Sequence, residues 1–312
     1  QEGIKGQNAV QTIKPGSFAA ALVRAQGEIA HHWPIMPFGG WEPDKALLGL
    51  SGSGEASGVI PDLESFRPCK NFSAVASSAL TARCRGAIAV RDASGVSYIY
   101  AGDATSLYGN TGAAFSALNT TYTLAETSHW EFAKFKTQII ATGYEDHIQA
   151  ITVGGAAFAP LFTSTYKPKA KHIAVVGDFF VYGNVNDDDG QTPNRVGWSG
   201  INNAATADIS QTTLSDYDDR AEGGTVRRII GGGYGTVFMD NQIHVMEFKG
   251  LPEIFEFYVM DRHRGTPIPG SVVAMGSLIF FMAEDGPCVF DGRTSTPIGT
   301  GKVARFFWND FD

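Results

Sequence analysis

Cysteine is scarce in this chain. Among 312 residues there are only Cys69, Cys84 and Cys288, an odd number without any C-x-x-C spacing. That count and spacing give poor support to a disulfide framework or a zinc site, and buried free thiols are expected. Charge is thin as well: 18% of residues are Asp, Glu, Lys or Arg, and the densest acidic stretch is only Asp187-Asp188-Asp189. The net charge of −8 lacks the basic footprint of a protein that grips nucleic acid through its phosphates. No apolar run approaches the ~18 residues of a membrane span, so no membrane segment is expected. The sequence begins at Gln1 with no basic stretch leading into an apolar one, so no signal peptide is read either.

Catalytic signatures are missing too. The seven histidines are scattered, His31-His32 are adjacent and cannot share a helix face, and no H-E-x-x-H occurs. Ser199 sits in Trp198-Ser199-Gly200, outside a G-x-S-x-G elbow. Gly231-Gly232-Gly233-Tyr234-Gly235 follows an apolar stretch, but another one, Thr236 to Met239, comes directly after it. A dinucleotide loop needs a helix there, so a strand-to-strand turn is read. Asn186 to Gly190 resembles a calcium loop. With Gly190 at the sixth position, Val185 and Val196 would occupy the first and twelfth, where neither can ligate through its side chain, so a hairpin tip is read. Asp216, Asp218, Asp219 and Glu222 cluster around Arg220 in what reads as a polar loop, with nothing to fix a catalytic separation. No catalytic, metal or cofactor residue is nominated, no cofactor is expected, and the chain is read as not an enzyme.

What is present is glycine (37), proline (14) and aromatic side chains (12%), with 43% hydrophobic residues. That mixture suits many short strands joined by tight turns. Three regions differ in texture. Residues 1–35 hold one helical window, Ser17–His31, in which Phe18, Leu22, Ala25 and Ile29 recur at spacings of three and four. This region reads as an N-terminal arm with a short helix. Residues 36–80 are an extended lead-in punctuated by Pro43, Pro61 and Pro68. Trp33, Phe38 and Trp41 are too apolar for a free tail and are expected to make inter-subunit contacts.

From 81 to 312 a rhythm appears. Units of apolar strand, polar turn and apolar strand start at residues 86, 129, 171, 226 and 270. The period of about 40–50 residues is that of propeller blades. Asp92-Gly95, Gly177-Asp178, Asp240-Asn241, Gly276-Ser277 and Asp285-Gly286 supply the turns. Runs such as Leu278 to Met282 are apolar on both sides, as expected of strands covered on both faces. The polar excursion 201–225 reads as an inter-blade loop. The fold class expected is an all-β, degenerate β-propeller of about five or more blades with an extended N-terminal arm. The apolar segment Ala304 to Trp308 near the end either packs on the body or leads into further chain.

Four blocks add a resemblance. EASGVIPDLESFRPCKNFSAV (55–75), GDFFVYGN with RVGWSGINN (177–203), RRIIGGGYGTVFMDNQIHVMEFKG (227–250), and the stretch from RGTPIPGSVVAMGS to VARFF (264–307) resemble one family. It is the packaged-DNA stabilisation, or tail nozzle, family of P22-like short-tailed phages. The likeness covers roughly 36–307 in order, with sparse identities, and leaves 1–35 outside. It implies a structural virion protein in the tail, forming a ring with itself, usually a hexamer. The ring would extend the DNA channel, retain the packaged genome and allow its ejection. Implied partners are adaptor or portal-side tail proteins, tail tip, needle or fibre proteins, and DNA that passes without sequence-specific binding. The family supplies no catalytic or binding residues to carry over. Its members run beyond this sequence, which implies a propeller domain truncated at its C-terminus. The alternative function is a carbohydrate-binding or carbohydrate-active β-propeller, for receptor recognition or as a glycosidase. An exposed aromatic pair beside clustered carboxylates in a central pocket would mark it.

Overall fold

A computed structural model describes residues 40–45 and 52–310, apart from 63–64, 72, 75, 77, 111–113 and 188–189. The helical window at 17–31 and the contact residues Trp33 and Phe38 lie outside the described residues. Five four-stranded antiparallel sheets follow one another along the chain, each a meander in which sequential strands are neighbours. The first holds β3 (Gly86–Arg91), β4 (Ser97–Gly102), β5 (Leu107–Asn110) and β6 (Ser116–Asn119). The second holds β7 (Glu131–Phe135), β8 (Gln138–Thr142), β9 (Gln149–Thr152) and β10 (Ala159–Pro160). The third holds β11 (Lys169–Val176), β12 (Phe179–Asp187), β13 (Gly190–Trp198) and β14 (Asp216–Asp219). The fourth holds β15 (Val226–Ile230), β16 (Gly235–Met239), β17 (Ile243–Gly250) and β18 (Ile254–Asp261). The fifth holds β19 (Val273–Met275), β20 (Leu278–Ala283), β21 (Gly286–Phe290) and β22 (Ser295–Pro297). A two-stranded ribbon, β1 (Val59–Asp62) with β2 (Ser65–Pro68), precedes them, and a short helix, α1 (Ala304–Asp310), follows.

The period-two geometry of a strand sends neighbouring residues to opposite faces, and here each face feeds a different core. On β8, Ile139 joins Tyr100, Leu107 and Trp130 between the first and second sheets. Its neighbour Ile140 joins Phe135, Phe180 and Tyr182 between the second and third. On β12, Phe180 and Tyr182 enter that same core, while Phe179 and Val181 enter the next, with Trp198, Ile229 and Met246. On β16, Val237 and Met239 belong to the core of the third and fourth sheets, and Phe238 to that of the fourth and fifth, against Phe281 and Phe290. One apolar layer thus lies between each consecutive pair of sheets. A strand apolar on both faces is what such stacking requires, each large side chain contributing about 1.5–3 kcal/mol on burial.

The expected units each hold a fourth strand that the sequence reading omitted. Residues 201–225, read as an inter-blade loop, carry β14, which pairs with β13 from Arg195↔Asp219 to Trp198↔Asp216 inside the third sheet. Three of the four β14 residues are Asp216, Asp218 and Asp219, on an outer strand where no apolar periodicity is needed. The run Leu278 to Met282 also departs from expectation. On β20 only Ile279, Phe281 and Ala283 are buried, and the intervening residues are half-buried. Its buried face meets the fourth sheet. Of the three cysteines, Cys288 is buried as expected, but Cys69 and Cys84 are exposed, because both lie in the extended segments before the first sheet.

Turn chemistry is local. The Asp92 carboxylate accepts the Ser94 and Val96 N–H groups, both at 2.8 Å, and closes the β3–β4 hairpin. The glycine run at 231–233 is a strand-to-strand turn with a further duty. Gly232 bridges Val176 in parallel register, and a Cβ on Gly231 would sit 2.0 Å from the Val175 carbonyl oxygen. Only glycine permits that approach between the third and fourth sheets.

The lead-in closes on the far end of the chain. The Asp44 carboxylate accepts the N–H groups of Arg305 (2.9 Å) and Phe306 (2.7 Å) in the first turn of α1. Trp41 packs edge-on against Phe306 with ring centroids 5.2 Å apart, and remains 36% exposed. One side of Trp41 is therefore engaged within its own chain, and the other is open.

Candidate functional site

The starts of the five first strands meet at one cavity of about 580 Å³. Arg85 lies just before β3, Trp130 just before β7 and Glu131 at its start, Lys171 and His172 near the start of β11, and Arg227 and Arg228 near the start of β15. Ile268–Gly270 reach it just ahead of β19, and Gly143-Tyr144 from the end of β8 complete the wall.

Glu131 is the centre of its polar network. Its Oε1 receives the His172 Nδ1 at 2.7 Å and the Arg228 guanidinium, while Oε2 accepts the Ile173 N–H at 3.1 Å. The carboxylate and imidazole are 13% and 3% exposed. Burial alone would push the Glu131 carboxyl up. The charge and hydrogen bond of His172, the Arg228 charge and the Ile173 N–H together outweigh it and hold the carboxyl below its ordinary value. An ionised carboxylate only accepts, so Nδ1 of His172 carries the proton it donates. The other ring nitrogen, Nε2, is buried and has no hydrogen-bond partner among the described residues, and neither has Nε of Arg228.

The remaining cations are held in different ways. Arg85 donates to the carbonyls of Leu124 (3.4 Å) and Ala125 (2.5 Å). Arg227 pairs with Asp240 at 2.5 Å. The Lys171 ammonium lies 5.9 Å from the Tyr144 ring centroid. Trp130 is fixed by its indole N–H, which donates to the Asp103 carbonyl at 2.8 Å. Asp103 in turn is anchored by the Thr105 and Ser106 N–H groups (both 2.8 Å) and the Tyr108 hydroxyl (2.8 Å). Four cationic side chains line the cavity, whose lining holds the single carboxylate of Glu131; of the four, Arg227 has Asp240 as its partner outside the lining.

A second depression, a groove of about 710 Å³ between the fourth and fifth sheets, is wider and more open. There Asp261 accepts the N–H groups of His263 (2.9 Å) and Arg264 (3.1 Å) and the Ser295 hydroxyl, and Arg264 pairs with Asp285 at 2.9 Å.

The residues weighed in the sequence fall elsewhere. Asp219 and Asp187 share Arg195, at 2.6 and 3.1 Å, Asp218 pairs with Arg220, and Glu222 with Arg262. Asp216 accepts the Tyr217 N–H at 2.8 Å, so most of the acidic cluster serves as guanidinium partners on and just after β14. Ser199 is fully buried, accepting the Phe180 N–H at 3.1 Å and donating to the Gly200 carbonyl at 3.0 Å. Among the described residues, no three His, Cys, Asp or Glu side chains are placed to hold a metal ion. Among the described residues, no helix is long and apolar enough to cross a membrane. Arg85, Glu131, His172 and Arg228 were missed, since each is unremarkable alone. The signal was positional: a charged pair or single charge recurs where successive units begin, at Arg85, Glu131, Lys171-His172 and Arg227-Arg228.

No protein-family model matches the chain, and no curated protein matches it in sequence. What the fold defines is an all-β protein of serially packed four-stranded sheets with a shared, cationic cavity.

Proposed function

We propose that the five sheets are blades of a degenerate β-propeller and that the chain is a subunit of a short-tailed phage nozzle. In this reading copies assemble into a ring, most simply a hexamer, that lengthens the DNA conduit, retains the genome and releases it on ejection. The observation that carries the reading is the placement of the resembling blocks. They fall in order on the β1–β2 ribbon, on β12 and β13, on β15 to β17, and on the fifth sheet with α1. The convergence of five first strands on one cavity supports radial stacking of the sheets.

The conduit in such a ring runs between copies, not through the cavity of one copy. A net charge of −8 per subunit suits a passage that DNA crosses without being held. The cationic cavity offers no paired carboxylates at the separation that glycoside hydrolysis uses, so the carbohydrate-active alternative gains no support from it. Native mass measurement and electron microscopy of the purified protein test the proposal. A closed ring with an axial passage is expected; a chain that stays monomeric alone and with portal-side tail proteins overturns it.

A further inference from the structure

We propose that the shared cavity is a binding site for a small phosphoryl anion such as orthophosphate or pyrophosphate. This does not rest on the nozzle reading. Three independent features converge on it. The first is charge: Arg85, Lys171, Arg227 and Arg228 line a space whose lining contains a single carboxylate, in a chain that is otherwise acidic.

The second is the way those charges are balanced. Arg85 is satisfied by two neutral carbonyls and Lys171 by the face of a ring, so neither charge is met by a carboxylate. Arg228 shares Glu131 with His172, so one carboxylate faces two donors. The third is an orphaned group. His172 is 2% exposed and lines the cavity with its Nδ1 committed to Glu131, while its Nε2 is without a partner among the described residues. Burying a polar nitrogen unmet is costly, and a ligand carrying oxygen atoms, some of them protonated, can meet it whether Nε2 accepts or donates. Tetrahedral oxyanions carry more charge than acetate and point their acceptor oxygens in several directions, so one ion can bind several cationic side chains at once, whereas acetate offers two oxygens in one plane.

The cavity is assembled from all five sheets, so the anion would also tie together elements far apart in sequence. Binding to the native state alone therefore raises the unfolding temperature with ligand concentration.

The test uses the full chain and isothermal titration calorimetry with orthophosphate and pyrophosphate, with acetate and chloride at matched ionic strength as controls. Saturable binding of the phosphoryl anions is expected, weakened about tenfold or more in Lys171→Gln and in Arg85→Gln. Arg262→Gln, which removes a cation from outside the cavity, is expected to bind as the parent does. Lys171 is exposed, so its removal sacrifices no buried packing, and circular dichroism verifies that the variants are folded. A phosphate response no larger than that of acetate and chloride overturns the proposal. So does undiminished binding by folded Lys171→Gln.

Discussion

The shared cavity and the groove between the fourth and fifth sheets are built from the same parts: arginine, carboxylate and backbone N–H. At the cavity the carboxylate is Glu131, 13% exposed, with a buried imidazole and a guanidinium on it. In the groove, Arg264 and Asp285 pair at a similar distance but are 30% and 47% exposed. The guanidinium groups are about equally exposed, at 31% and 30%, but water screens Asp285 far more than Glu131 and its imidazole partner, so similar geometry carries unequal energy.

Several measurements would break or sharpen this contrast. The largest effect is expected from Glu131→Ala, which leaves Arg228 and His172 without their shared carboxylate. A loss of about 3–5 kcal/mol in urea unfolding is expected, and a loss under about 1 kcal/mol would put the cavity in the same class as an open surface pair. Next is Gly102→Ala. Its new Cβ would meet Cδ1 of Trp130 at 2.2 Å and push on the cavity wall, for a cost of about 1–3 kcal/mol. Gly270→Ala, with nothing within 4 Å, should stay within about 0.5 kcal/mol by the same assay.

The acid limb of stability gives a third comparison. The folded-state value of Glu131 lies below its ordinary 4.5. Its contribution is therefore complete above that pH and is lost as the pH falls through the folded value. Wild type should destabilise along that limb, and Glu131→Gln should flatten it, as read by unfolding midpoints across the acid range. In the groove, Asp285→Asn should cost less than about 1 kcal/mol. The smallest effect concerns His244, 1% exposed and bonded through Nε2 to Gln242 at 2.9 Å. Burial, then the charges of Arg220 and Arg262, push it down to about 4. Its contribution is present above the unfolded value near 6.5 and fades as the pH falls toward 4. An NMR titration should find it neutral at pH 6, and Arg262→Gln should raise its titration point.

The two regions also show what a sequence displays. The five-unit rhythm was legible because each unit opens with apolar strands separated by Asp and Gly turns, and the Asx turn at Asp92 and the Asp187↔Gly190 pairing of β12 with β13 are where those residues placed them. The fourth strands were not. β10 is two residues long, β14 reads Asp-Tyr-Asp-Asp, and β22 reads Ser-Thr-Pro, so none has an apolar alternation to detect. β18, Ile-Phe-Glu-Phe-Tyr-Val-Met-Asp, had one that could have been read. The cavity was hidden for another reason. Glu131, His172 and Arg228 lie about one period apart, and only stacking turns that distance into a hydrogen bond. Trp41 was legible as a residue in need of a surface; that one side of this surface would be Phe306, near the opposite end of the sequence, was not.

The character of those outer strands has a further consequence. Each sheet ends in a strand whose free backbone groups could template pairing with a stranger. A two-residue strand, a proline-terminated one and one bearing three aspartates are poor templates, so these three rims resist amyloid-like stacking. β18 is eight residues long, has Phe255, Phe257 and Val259 among them, and lacks that protection. It is where self-adhesion would begin if the molecule were concentrated.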